Sequence, residues 1–299
     1  MTPGDRVTRP RLVAPETAIA ISGALWGLYW IPVRHLQAGG VGVIWFTLCL
    51  FVAVLALLVP LLVRYPPARA AFTPRMVVTG LLTGGAFVLY TVSIVLTEVV
   101  AAILLFYMSP VWATVLGRLL LAERFTASRL VALAMGLGGL WVVLGSESGV
   151  PLPRNPGDWC ALAAGVMWAL GTLRVHQDAA TSSAAHAVSL FVGGTLVVGV
   201  MALLPGMAGP PPPVTAESAA IVLVMAVVSL LSAWSILWGA RLLSPGRAGL
   251  LLMMEVITGL ASAAVLAGEP FGLAQVFGSM LIAGAVVVEV LPPAGRSRA

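Results

Sequence analysis

The 299-residue chain contains no lysine: all sixteen of its Lys/Arg positions are arginine. Charged residues of every kind make up only 9% of it. Soluble domains carry about 25%, so a soluble globular fold is excluded. The missing lysine reads as a composition bias and carries no chemistry. There are only two cysteines, Cys49 and Cys160. Both lie in apolar runs, which makes them inert buried thiols and excludes a disulfide framework. The three histidines, His35, His176 and His186, are scattered near the ends of apolar runs, without metal-ligand spacing. No nucleophile–His–acid grouping and no phosphate-binding loop occurs, so the sequence offers neither a catalytic residue set nor a nucleotide-driven motor, and it calls for no cofactor and no metal. The net charge of +5 sits in loops and termini. It therefore reports topology and not nucleic-acid binding.

What remains is hydrophobic. Apolar residues form 60% of the chain, and the mean hydropathy is +1.05. The apolar runs are continuous and do not alternate, which excludes an outer-membrane barrel. They fall at about 16–35, 41–63, 75–96, 98–121, 127–145, 157–176, 184–204, 217–242, 246–267 and 271–291. Each matches the roughly 20 residues of a membrane-spanning helix. The breaks carry turn chemistry, as in "RYPPARAAFTPR", "SESGVPLPRNPGD" and "LSPGR", and Pro210 to Pro213 make a stiff linker. The weakest break is at 95–98. No small-residue cleavage site follows the first run, so no cleavable signal is expected.

Arginine placement orients the chain. With the N-terminus in the cytoplasm and ten crossings, the inner side holds Arg6, Arg9, Arg11, Arg64, Arg69, Arg75, Arg118, Arg124, Arg129, Arg174, Arg241, Arg247, Arg296 and Arg298. The outer side holds Arg34 and Arg154. The bias is the one that cytoplasmic loops show, and it places both termini inside.

The two halves are weakly similar. "LLFYMSPVWATVLGRLLLAERF" (104–125) aligns with "LLLMMEVITGLASAAVLAGEPF" (250–271), setting Glu123 on Glu269 and Phe125 on Phe271. Upstream, "GALWG" (23–27) aligns with "GVMWA" (165–169). A repeat of five helices, an odd number, returns inverted. The expected fold is therefore an all-α membrane protein of ten transmembrane helices, built as two inverted five-helix repeats (1–145 and 157–291) joined by an outer loop (146–156). These motifs resemble the drug/metabolite transporter superfamily, EamA type, and within it the chain is similar to bacterial YddG-like amino-acid exporters. One departure stands out: Val256 occupies the place matching Pro110. The resemblance implies alternating access, with a cavity between segments 1, 3, 4, 6, 8 and 9 and with segments 5 and 10 outside.

Polar stripes give an independent reading. Segment 3 carries Thr79, Thr83, Ala86, Tyr90, Ser93 and Thr97 on one helical face. Segment 9 carries Glu255, Thr258 and Ser262; segment 6 carries Gly165, Trp168, Thr172 and His176; segment 8 carries Ser229, Ser232 and Ser235. Each stripe is open to two readings, interhelical hydrogen bonding or a shared wet cavity. Trp30, Trp45, Trp141 and Trp159 suit an interfacial belt. Trp26, Trp112, Trp168 and Trp234 lie deeper, and Trp238 sits near the inner end. Deep aromatics either pack or wall a binding pocket. Pro110 and Pro32 interrupt the backbone bonds to the carbonyls of Phe106 and Leu28, as hinges or as substrate acceptors. The pairs Gly84–Gly85, Gly138–Gly139 and Gly193–Gly194 mark close helix contacts.

Glu255 stands eight residues beyond Arg247, about 12 Å along a helix and close to mid-depth in a core of about 30 Å. It is neutral, or ionised against a buried donor such as Trp168 or Tyr107, or ionised against a substrate ammonium. Intramembrane acids mark function by default. The candidate substrate-binding set is therefore Glu255, Trp168, Tyr90, Tyr107, Trp26, Trp234, Trp238, Ser93, Thr83 and Thr258, with Pro110 and Pro32 as hinges. The expected protein is a monomeric, multi-pass exporter of amino acids or similar zwitterions in a bacterial inner membrane, in contact with lipid and a small-molecule substrate and with no nucleic acid. Export of lipophilic cations, or a membrane scaffold that transports nothing, are the alternatives.

Overall fold

The computed structural model describes residues 14–97, 102, 105–122, 126–144, 153–212, 214–266 and 272–290, and the regular elements among them are all helical. Glu98, Glu123, Phe125, Glu269, Phe271, Arg6, Arg9, Arg11, Arg124, Arg296 and Arg298 lie outside the described residues, as does most of the 146–156 connection. The first apolar segment is α1 (Pro15–Trp26) and α2 (Trp30–Ala38). Then follow α3 (Val43–Arg64), a 3₁₀ helix (Pro66–Phe72), α4 (Pro74–Leu96), α5 (Ser109–Leu121) and α6 (Ala127–Leu144). The second half holds α7 (Pro156–Gln177), α8 (Ser183–Leu203), α9 (Ala216–Leu242), α10 (Pro245–Leu252), α11 (Met254–Leu266) and α12 (Leu273–Val290).

Local chemistry sets the ends. Proline occupies the first turn of α1, α4, α5, α7 and α10, where its missing N–H has no helical partner to lose. Asn155 and Ser182 cap α7 and α8 through their side-chain oxygens, and Thr215 with Ser218 forms a capping box on α9. α4 stops at Leu96, and Thr97 is extended (φ −142°, ψ 176°), so the chain does break where the sequence signal was weakest. Among the described residues, five stretches are long and apolar enough to cross a membrane: Val43–Arg64, Pro74–Ile94, Ser183–Leu203, Ala216–Leu242 and Pro245–Leu266. Their outward faces expose Val52, Val63, Leu196, Val200, Leu231 and Val265. A multi-pass membrane protein presents such a surface to lipid.

Polar contacts fix the direction of each helix. Arg174, late in α7, donates to Thr79 Oγ1 (3.1 Å) and to the Arg75 carbonyl (3.3 Å) at the start of α4. Arg241, late in α9, donates to Ser183 Oγ (2.8 Å) at the start of α8. Arg247 opens α10 and meets Glu16 at the start of α1 (3.4 Å), and Arg129 opens α6 and donates to Ser244 Oγ (2.5 Å). These arginines gather at one end of the bundle. At the opposite end Trp45 Nε1 donates to the Gly209 carbonyl (3.2 Å), and His35 meets Glu217 (2.7 Å). α1 thus leaves the arginine-rich end while α7 runs toward it.

α4 is the central helix, packed between α7 and α8, while α6 and α12 pair beside the bundle. The α4–α8 seam admits no side chain at Gly193, whose Cβ would overlap the Gly80 backbone, or at Gly84, whose Cβ would overlap the Leu190 carbonyl. Gly139 likewise abuts α12, but its neighbour Gly138 faces open space. The principal apolar cluster holds Phe46, Leu50, Phe51, Phe191 and Leu237. A second cluster joins Tyr107, Leu140, Leu250, Met253 and Ile282.

Candidate functional site

Three helices lose their regular bonding at mid-length. Between α1 and α2, Leu28, Tyr29 and Ile31 donate to carbonyls three residues back, at 3.1, 2.9 and 3.2 Å. Ile31 N–H therefore occupies the Leu28 carbonyl. The expectation that Pro32 leaves this carbonyl free is corrected: the interruption lies upstream, at Gly27–Tyr29, and tightens the backbone into i→i−3 bonds. In the fourth segment Tyr107 and Met108 form a turn just before Ser109–Pro110. In the ninth, Met253 separates α10 from α11 without any proline. Tyr107 and Met253 are 146 positions apart, the register of the aligned repeat. The two breaks support each other. A Cβ on Gly249 would stand 3.3 Å from Pro110 Cγ, and the Tyr107 hydroxyl reaches the Leu252 carbonyl at 3.4 Å.

The breaks surround a cavity of about 90 Å³. A buried water needs about 10–15 Å³ measured this way, so the space admits several waters or part of a small organic molecule. Aromatic rings form most of its wall: Trp26, Tyr29, Phe87, Tyr90, Phe106 and Trp168 among them. Tyr90 and Phe106 stack with ring centres 4.3 Å apart, and Trp26 meets Phe87 edge-on at 4.9 Å. Glu255, in the first turn of α11, is the one lining residue among the described set with an acidic or basic side chain. The Tyr107 hydroxyl donates to Glu255 Oε2 at 2.5 Å.

The lining follows the repeat. Trp26 and Trp168, Thr91 and Ala233, and Ile94 and Ile236 each stand 142 positions apart, and all six line the cavity. Phe106 and Leu252, and Ser109 and Glu255, stand 146 apart and line it too. The same positions of the two halves thus face one space. Their chemistry differs: the first half supplies Tyr29, Phe87, Tyr90 and Tyr107, and the second supplies the carboxylate.

Of the residues singled out from sequence, Glu255, Trp168, Tyr90, Tyr107 and Trp26 line the cavity. Thr83, Ser93, Thr258, Trp234 and Trp238 do not. The threonines of the segment-3 stripe face α7: Thr79 receives Arg174, Thr83 packs on Gly171, and Thr97 donates to Asp158. Ser93 donates to the Tyr90 carbonyl (2.7 Å) within α4. Thr258 donates to the Ala24 carbonyl (2.9 Å), and Trp30 Nε1 donates to Ser262 Oγ (3.0 Å), so the segment-9 stripe below Glu255 joins α1 and α2 to α11. Gly27 permits that approach, since a Cβ there would overlap Thr258. Trp234 packs on the main apolar cluster, and Trp238 is half-buried. Pro110 lies in the first turn after its break, beside Gly249. Tyr29, Phe51, Phe87, Phe106, Ser109 and Phe191 line the cavity without having been singled out. Segments 2 and 7 therefore contribute as well, while segments 5 and 10 stay outside among the described residues.

A helical membrane bundle with repeated halves around an acid-bearing aromatic cavity defines a carrier of small molecules. The comparisons name its family: the EamA-like transporter family matches residues 15–145 and again residues 155–291, and the chain belongs to it. Members of this family are transporters and not enzymes, and the chain is a membrane transporter. A solved structure described only as "Crystal structure of protein" superposes with a TM-score of 0.71 at 18% identity, covering 92% of this chain and 96% of that one. That likeness speaks to the fold. No curated protein matches the chain.

Proposed function

We propose that this transporter exports small molecules bearing one ammonium group and an apolar body across a bacterial inner membrane, by alternating access of two inverted five-helix halves with both chain ends in the cytoplasm. The observation that carries the reading is Glu255: a lone carboxylate at a helix break, held by one tyrosine hydroxyl, inside an aromatic box. A carboxylate meets an ammonium through charge-assisted hydrogen bonds, and aromatic faces attract the same cation. Amino acids and lipophilic amines both present that group. The lining leans toward amines, because no arginine, lysine or histidine among the described lining residues is placed to receive an amino acid's carboxylate.

Proteoliposomes loaded with labelled leucine, phenylalanine or a quaternary aromatic amine test the reading. Efflux above that of protein-free vesicles is expected for the amine, with smaller efflux for the apolar amino acids. No efflux for any member of such a panel would remove the proposal. Efflux of amino acids alone would keep the carrier and reverse the order of substrates.

A further inference from the structure

Glu16 and Asp158 stand 142 positions apart, in the register that relates Trp26 to Trp168. Each acid lies in the first turn of the first helix of its half, ten residues before the cavity tryptophan. At about 1.5 Å per residue that is about 15 Å along the axis. α1 and α7 run in opposite directions, so the acids mark opposite ends of the bundle, and each makes a contact that crosses from one half to the other. At the arginine-rich end Glu16 Oε1 meets Arg247 Nη2 at 3.4 Å, with both side chains about a quarter exposed. At the other end Asp158 accepts from Thr97 Oγ1 at 2.5 Å, and Asn155 Nδ2 donates to the same hydroxyl at 2.9 Å. There Asp158 is 4% exposed. A Cβ on Gly157 would come within 2.7 Å of the Leu96 carbonyl carbon, so the two backbones touch.

The geometry points to these two acids as paired latches of the transport cycle, with Thr97–Asp158 holding one end shut and Glu16–Arg247 the other. Both lie at helix ends, about 15 Å along the axis from the cavity tryptophans. Asp158 keeps the Arg154 backbone N–H (2.8 Å) and the α7 N-terminus when Thr97 leaves, so separation strands no buried charge. The ends are unequal in this state. The Asp158 side chain is buried. Toward the other end a second void, of about 10 Å³, continues from the cavity past Thr172, Ala240, Pro245 and Ala248, sharing Ser109, Trp168 and Leu252 with it. The Asp158 contact is therefore the more buried of the two, and the void extends from the cavity toward the Glu16 end.

This inference rests on the transport reading of the cavity. Its test uses the full chain with Cys49 and Cys160 changed to alanine and Ser109→Cys as a cavity probe, in membrane vesicles of each orientation. A membrane-impermeant, trimethylammonium-bearing methanethiosulfonate labels the probe. Asp158→Asn, or the milder Thr97→Val, is expected to raise the labelling rate from the Asp158 side about tenfold and to lower it from the Glu16 side. Glu16→Gln should do the reverse. A purely structural role would change both sides together or neither, and either result overturns the latches, as does a probe that labels from neither side. Efflux of the aromatic amine by the wild-type chain, with labelling unmoved by all three variants, removes the latches and leaves the transport reading standing. Absence of efflux removes the transport reading itself.

Discussion

At the scale of single residues, the proposed function turns on the Tyr107–Glu255 contact. Glu255→Gln keeps the shape of the side chain and one oxygen to accept from Tyr107, and removes the charge an ammonium would meet. Proteoliposome efflux of amines is expected to fall to background while thermal unfolding in detergent moves little; unchanged efflux would show that the acid serves packing. Tyr107→Phe removes the hydrogen bond that Glu255 Oε2 accepts, a loss of about 0.5–1.5 kcal/mol. Substrate-induced thermal stabilisation should weaken in that variant and not disappear, because the carboxylate remains. Sequence reading reached Glu255, Trp168, Tyr90, Tyr107 and Trp26 because a charge, a hydroxyl or an indole N–H at membrane depth calls for an explanation. It passed over Phe51, Phe87, Phe106 and Phe191. A phenylalanine in an apolar run looks the same whether it faces lipid, core or cavity. The stripe containing Thr83 and Ser93 was legible as one helix face, but periodicity does not say which neighbour that face meets, and here it meets α7.

Among the elements, the helix breaks and the glycine seams divide in the same way. Pro110 announced the break beside it. The breaks at Gly27–Tyr29 and at Met253 carry no proline, and tertiary contacts lie against them: Gly27 lets α11 approach, and the Tyr107 hydroxyl that donates to Glu255 lies beside the Leu252 carbonyl. Glycine pairs were legible as close contacts, and their environments now separate them. Gly193→Leu forces a side chain into the Gly80 backbone and is expected to cost about 1–3 kcal/mol or more. Gly138→Leu places the same side chain in open space. Measured side by side by thermal unfolding, the first should lower the midpoint clearly and the second should leave it near that of the wild type. Equal effects would mean that helix propensity, and not the α4–α8 contact, governs both.

For the whole molecule, one organising fact is the opposition of α1 and α7, which places matching residues of two halves around one cavity and matching acids at its two ends. The pseudo-repeat was readable from "GALWG" and "GVMWA", and the contacts of Arg174, Arg241 and Arg247 give it direction. What sequence alone expresses only as a charge bias is which end faces the cytoplasm. The arginine-rich end is expected there, because cytoplasmic loops retain arginine. Single cysteines at Ala70, in the 3₁₀ helix between α3 and α4, and at Gly209, in the loop between α8 and α9, lie at the two ends. In intact cells carrying the chain with Cys49 and Cys160 replaced by alanine, a membrane-impermeant maleimide should label the Gly209 variant and spare the Ala70 variant until the cells are opened. The reverse pattern would invert the bundle and make the Asp158 latch the cytoplasmic one.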